Sequence, residues 1–125
     1  MSGWTPDELR TIGGVDELGV ASRRADASLR PFVTIWFTVL GDEVYVRSAH
    51  GPQNGWFRRA TESGTGRVRV GAIEKDVAFE NGDDAPHDAL DAALHAKYDR
   101  YGPAPVRAIT GPSAAGVTLR VVPTP

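Results

Sequence analysis

Arginine, serine, histidine and glycine meet in one short stretch, Arg47-Ser48-Ala49-His50-Gly51-Pro52-Gln53-Asn54-Gly55-Trp56-Phe57-Arg58-Arg59. The order reads as a strand end, a glycine-punctuated turn and the start of a basic helix. Backbone N–H groups in such a turn and at a helix N-terminus hold anions, and guanidinium groups nearby neutralise them. The chemistry in outline is phosphate binding. His50 sits inside the turn, where its ring could donate to a ligand oxygen or exchange a proton near neutral pH.

Thr34, Ile35 and Trp36 add a second component, because an antiparallel hairpin would set their strand beside Arg47, Ser48, Ala49, His50 and Gly51. With Trp56, Arg58 and Arg59 they would line a groove that offers hydroxyl, guanidinium and aromatic groups together. Such a groove suits an aromatic ring system carrying a phosphate. A flavin-like cofactor would be walled by apolar groups, with its ring N–H and carbonyl groups bonded to strand backbone. The competing reading puts Trp36 and Trp56 in the core and leaves the arginines in solvent.

Other chemistries lack their residues. The chain has no cysteine, which removes disulfides, thiolate metal sites and a Cys nucleophile. His50, His87 and His95 show no zinc-motif spacing, so no metal site is expected. No serine lies in a Gly-x-Ser-x-Gly elbow. The carboxylates between residues 74 and 99 fall on one helix and its approach, as a solvated face does. No side chain is thereby marked as catalytic.

The 125 residues, 41% of them hydrophobic, suit one domain over 1–125. No apolar run approaches the roughly 20 residues that span a bilayer. The start Met-Ser-Gly-Trp-Thr-Pro lacks a basic segment followed by an apolar one. A cytoplasmic protein without membrane contact is expected. Net charge is -2, but residues 22–70 carry eight Arg against four acidic groups, while residues 71–100 carry three basic against eight acidic groups. Without a Lys/Arg block the balance argues against nucleic-acid binding, and the local arginines suit a small phosphorylated ligand.

The elements that must position these groups follow from periodicity. Thr5, Pro6 and Glu8, with Trp4 ahead of Leu9, start a helix that Gly13-Gly14 stops. Residues 17–23 alternate as a strand. Residues 32–40 form an apolar central strand that turns at Gly41-Asp42 into residues 43–48. Val44 and Val46 point one way on the latter, Tyr45 and Arg47 the other. Asn54 caps a mid-chain helix that presents Trp56, Phe57 and Ala60 inward and ends at Gly64-Thr65-Gly66. Two further strands cover 67–70 and 74–80. From Pro86 a helix carries the stripe Leu90, Ala93, Leu94, Tyr98 and Tyr101, a Gly- and Pro-bearing loop follows, and residues 117–122 make the last strand. About six strands in hairpin order, with no βαβ rhythm, predict a mainly β, antiparallel barrel plugged by helices.

The hairpin Pro31-Phe-Val-Thr-Ile-Trp with Gly41-Asp-Glu-Val-Tyr-Val-Arg-Ser, the helix Asn-Gly-Trp-Phe-Arg-Arg, and the pair Gly-Arg-Val-Arg-Val with Lys-Asp-Val-Ala-Phe resemble the deazaflavin-dependent nitroreductases. More broadly they resemble the FMN-binding split barrels. Ser22-Arg23-Arg24-Ala25-Asp26 and Ala96-Lys97-Tyr98-Asp99-Arg100-Tyr101-Gly102 point to a small subfamily of unknown function within that group. The resemblance implies a six-stranded split barrel, a homodimer, and FMN or a deazaflavin coenzyme in a groove at its interface. It places the ring along Thr34, Ile35 and Trp36, and the phosphate near Ser48, Ala49, His50 and Gly51 with Arg58 or Arg59. Arg23 and Arg24 fall where these relatives carry a Gly-Arg-Lys/Arg-Ser-Gly segment, but its glycines are absent here. The activity implied is hydride transfer to a small organic substrate. The alternative is a non-catalytic binding module that kept the barrel and lost the cofactor.

Overall fold

The computed structural model describes residues 3–124. Met1 and Ser2, part of the stretch read for a leader, and Pro125 of the tail lie outside the described residues. Helix α1 (Pro6–Gly13) begins with a capping box. Thr5 Oγ1 accepts from the Glu8 N–H at 3.1 Å, and the Glu8 carboxylate accepts from the Thr5 N–H at 3.0 Å. Just before it, the buried Trp4 donates its indole N–H to Val121 O at 3.0 Å, which fastens the helix entry to a strand 117 residues away.

Seven strands form one antiparallel sheet: β1 (Leu18–Ser22), β2 (Val33–Ile35), β3 (Phe37–Leu40), β4 (Glu43–Arg47), β5 (Thr65–Val70), β6 (Ile73–Asn81) and β7 (Thr118–Pro123). Their order is β2-β1-β5-β6-β7-β4-β3. The outermost strands, β2 and β3, are separated in the chain by Trp36 alone, so the sheet must curl until its edges meet. The result is a nearly closed barrel with a seam at Trp36. The apolar run read as one strand is therefore two: Thr34 of β2 pairs with Gly19 of β1, whereas Phe37 of β3 pairs with Val46 of β4. One unbroken strand could not serve neighbours on opposite sides of the seam, and this accounts for seven segments where six were expected. It also corrects one adjacency, since Arg47 pairs with Thr118 of β7 and not with the Thr34 to Trp36 segment.

Leu18, Val20, Phe37, Val44, Val46, Val68, Val70, Val77 and Val121 fill the barrel. Each such side chain withdrawn from water contributes about 1.5–3 kcal/mol. Helix α2 (Gly55–Ser63) lies against β1, β5 and β6 through the buried Trp56, Phe57 and Ala60. Where β5 passes β1, a Cβ on Gly66 would sit 2.1 Å from Ala21 O and 2.9 Å from the Phe79 ring. Only glycine fits that close approach.

Tyr45 and Arg47 are buried, as are Val44 and Val46 with which they alternate. They lie under α3 (His87–Tyr98) and the segment that follows it, where Leu94, Tyr98, Val106 and Ile109 form a second apolar cluster against Trp36. Leu90, Leu94 and Tyr98 carry the expected stripe. Tyr101 leaves it on a 3-10 turn (Asp99–Tyr101) and is 49% exposed. The span read as a loop holds two short helices, α4 (Pro103–Arg107) and α5 (Pro112–Ala115), each opened by a proline at its first position. Among the described residues no helix is long and apolar enough to cross a membrane.

Candidate functional site

A cleft of about 490 Å³ opens at the seam. Val33, Thr34, Ile35 and Trp36 make one wall, Ala49, His50, Asn54 and Trp56 a second, and Pro105, Ala108 and Ile109 a third. The lining is mostly apolar and aromatic, and the volume lies in the range of small-molecule sites, roughly 300–1,000 Å³. Trp36 is held by stacking on Tyr98, with ring centroids 4.1 Å apart and planes 5° from parallel. Tyr98 is itself fixed through its hydroxyl, which lies 2.8 Å from both Phe37 O and Asp16 O and accepts from the Phe37 N–H at 3.0 Å. Burial pushes that phenol well above its ordinary pKa. Beside it, burial draws the Lys97 ammonium down to about 8.

Arg47 reaches the cleft wall but serves the protein. Its Nε donates to Thr118 Oγ1 at 2.9 Å, and its Nη1 donates to Asp91 Oδ1 at 2.5 Å and to Ile109 O at 3.0 Å. Its Nη2 lies 2.9 Å from His87 Nδ1. Because guanidinium only donates, His87 Nδ1 must accept, and its Nε2–H then donates to Asp83 O at 2.8 Å. Asp91 Oδ2 accepts in turn from the Gly111 N–H at 3.1 Å. One buried guanidinium thus ties β4, β7 and α3 to the segment that brings Ile109 to the cleft. The alternation of β4 showed that Arg47 faces away from the valines, but not that helices cover that side.

The glycine turn is also partly self-satisfied. Ser48 is buried, and its hydroxyl donates to Gly51 O at 2.7 Å, which leaves neither group lining the cleft. Asn54 precedes α2 without a side-chain capping bond, and no acidic residue lies in the first turn. The opening N–H groups of the helix are therefore open to an anion. Arg59 folds back over this turn: its Nη1 lies 2.7 Å from where a Cβ on Gly55 would be, and it has no ion pair among the described residues. Arg58 is exposed and lines neither this cleft nor the next.

Arg59 also lines a second cleft, of about 560 Å³, with Arg23, Arg24 and Arg30. A small crevice shares Arg30 and Arg59 with that cleft and Val33 and Trp56 with the aromatic one, so the two adjoin across the α2 N-terminus. Arg23 is partly neutralised by Asp76 at 2.7 Å, and Arg24 bonds Leu29 O at 2.9 Å. Arg30 differs: its Nε is buried with no hydrogen-bond partner among the described residues. A donor so enclosed costs about 1–3 kcal/mol when nothing meets it. The sequence reading missed Arg30 as a site residue. Its place beside Pro31 at the entry to β2, within the arginine-rich span, was the available signal. Of the residues singled out beforehand, Thr34, Ile35, Trp36, Arg47, Ala49, His50 and Trp56 meet at the aromatic cleft, Arg59 meets the arginine cleft, and Ser48, Gly51 and Arg58 line neither.

The fold is shared with solved structures of low sequence identity. A FAD-binding protein of Mesorhizobium loti superposes with a TM-score of 0.60 at 17% identity, over 98% of this chain and 91% of its own. A conserved hypothetical protein of Mycobacterium tuberculosis gives 0.62 at 13%, over 98% and 82%. An F420 reductase gives 0.57 at 15%, over 93% and 92%. These likenesses agree with the resemblance to flavin- and deazaflavin-type split barrels at the level of fold. No curated protein matches the chain. A bacterial family model does match, over residues 8–121, and the chain belongs to that family, described as "Uncharacterized protein conserved in bacteria (DUF2255)".

Proposed function

We propose that this chain binds a flavin- or deazaflavin-type nucleotide and acts as an oxidoreductase on a small organic substrate, as a cytoplasmic homodimer of single-domain subunits. The observation that carries the reading is the junction of two clefts at the α2 N-terminus: an aromatic one sized for a ring system, and an arginine-lined one bordered by Arg30, whose buried Nε has no partner among the described residues. The residues present fit such a group. Trp36 and Trp56 would wall the ring, and the edge of β2 not paired with β1, at Thr34 and Ile35, would offer it backbone hydrogen bonds. The α2 N–H groups with Arg59 and Arg30 would hold the first phosphate. The bound ring would supply hydride transfer. The chain's part is to orient the ring, exclude water through the Pro105 to Ile109 wall, and present His50 at the mouth as a group able to exchange a proton.

A cofactor-free binding module is the second reading, favoured by the commitment of Arg47 and of the Ser48 hydroxyl to internal contacts. Titration of the purified protein with FMN, FAD and a deazaflavin coenzyme, followed by ring absorbance and fluorescence, separates the two. Binding in the micromolar range is expected. Arg59→Ala should weaken it by about tenfold or more, the worth of a charge-assisted hydrogen bond, and Arg58→Ala should leave it unchanged. Absence of binding by all three would sink the oxidoreductase reading.

A further inference from the structure

Trp36 touches two tyrosines that differ in what they can do with a proton. Its ring centroid is 4.1 Å from that of Tyr98 and 5.3 Å from that of Tyr101. Among the described residues the Tyr98 hydroxyl meets only backbone groups, and a carbonyl oxygen is too weak a base to take a phenolic proton. The Tyr101 hydroxyl donates to Asp16 Oδ2 at 2.5 Å. Arg100 donates to that same carboxylate oxygen and, at 3.1 Å, to the Tyr101 hydroxyl. Both neighbours hold the Asp16 carboxyl below the usual carboxylate range, so it stands ionised, with the Tyr101 O–H already directed at it. Trp36 lines the aromatic cleft, and Tyr101 is 49% exposed.

We propose that Trp36, Tyr101 and Asp16 form a one-electron relay that carries an oxidising equivalent from the cleft to the protein surface. Trp36 gives one electron to an oxidant in the cleft, of the oxidised or photoexcited flavin-type class or an oxygen-derived radical, and becomes an indole radical cation. Tyr101 gives one electron to Trp36 and restores the indole. Its O–H bond breaks in the same step, the proton passes to the Asp16 carboxylate, and a neutral phenoxyl radical remains. A thiol or ascorbate in solution then supplies one electron to Tyr101, and Asp16 returns the proton. Tyr98 takes no part in the redox step and keeps the Trp36 ring in place by stacking. The chain has three tryptophans and three tyrosines, and the Trp36 ring is in contact with two of the tyrosines.

The relay shares its cleft with the function proposed above, but its test needs no cofactor, so the two can fail separately. Azide radicals generated by pulse radiolysis oxidise the indoles of the full chain. The indole radical signal should then decay as a phenoxyl signal grows, at a rate independent of protein concentration. Tyr101→Phe should slow that growth by about tenfold or more, and Asp16→Asn, which leaves water to take the phenolic proton, should slow it as well. Tyr98→Phe should leave the transfer in place. Tyr101 is exposed and, among the described residues, its hydroxyl meets Asp16 and Arg100 alone, so Tyr101→Phe retains the core, which circular dichroism checks. Absence of transfer in the parent chain, or phenoxyl growth unchanged in Tyr101→Phe, would overturn the relay.

Discussion

Arg47 and Arg59 bring the same group into opposite situations. Four of the five guanidinium N–H groups of Arg47 meet protein acceptors, whereas Arg59 lies along the opening turn of α2 with no ion pair among the described residues. Lys97 shows what half-burial does to a charge: its Nζ lies 3.5 Å from the Phe37 ring centroid, and burial draws its pKa from 10.5 to about 8. Between those values the unfolded chain keeps a proton that the folded chain has released. The unfolded state therefore binds more protons, and stability rises with pH across the window. Tyr98 opposes this above pH 10, where the folded chain retains a phenolic proton that the unfolded chain loses. Urea denaturation from pH 8 to 10 should show the rise in the parent protein and a flatter profile in Lys97→Met. Equal slopes would refute the assignment to Lys97. Arg58 and Arg59 mark where residue-level reading stops. Sequence placed both at a basic helix start, but neighbours about 100° apart on a helix share no direction, and only Arg59 meets a cleft.

Elements were legible where the signal is local. The capping box of α1, the inward face of α2 and the Leu90, Leu94, Tyr98 stripe of α3 all follow from spacing within one or two turns. Helices α4 and α5 were hidden because five- and four-residue helices are too short to show a period of 3.6. Pro103 and Pro112 read first as loop residues. The close approach of β5 to its neighbour β1 was hidden for another reason, since what Gly66 touches belongs to a strand far away in the sequence. Gly66→Ala should lower stability by at least about 1–3 kcal/mol, the usual cost of forcing atoms into a packed site, because its Cβ meets the Ala21 backbone and not a side chain that could swing aside. A chemical denaturation midpoint matching that of the parent would contradict this close approach.

At the scale of the whole molecule, the hairpin rhythm was enough to give an antiparallel barrel. The closure at Trp36 was not legible, because pairing partners so distant in the chain leave no mark on local periodicity. Closure is also what brings an arginine cleft beside an aromatic one. The pair should favour a ligand longer than a mononucleotide: FAD should bind more tightly than FMN, with affinity falling more steeply as salt is added. Replacing both Arg23 and Arg24 by Ala should weaken FAD and spare FMN. Equal FMN and FAD affinities at low and high salt would confine the ligand to the aromatic cleft. The position of β7 has a kinetic meaning. It follows every other strand in the chain, yet lies between β6 and β4 and joins the group β2-β1-β5-β6 to the group β4-β3. A chain emerging residue by residue from the ribosome therefore holds two incomplete half-sheets, linked covalently through Trp36, with Val44 and Phe79 uncovered by their partner Val121 and Val77 by Pro123. Vectorial synthesis cannot finish this barrel stepwise, and the interval before β7 arrives is when nascent copies are most open to pairing with one another.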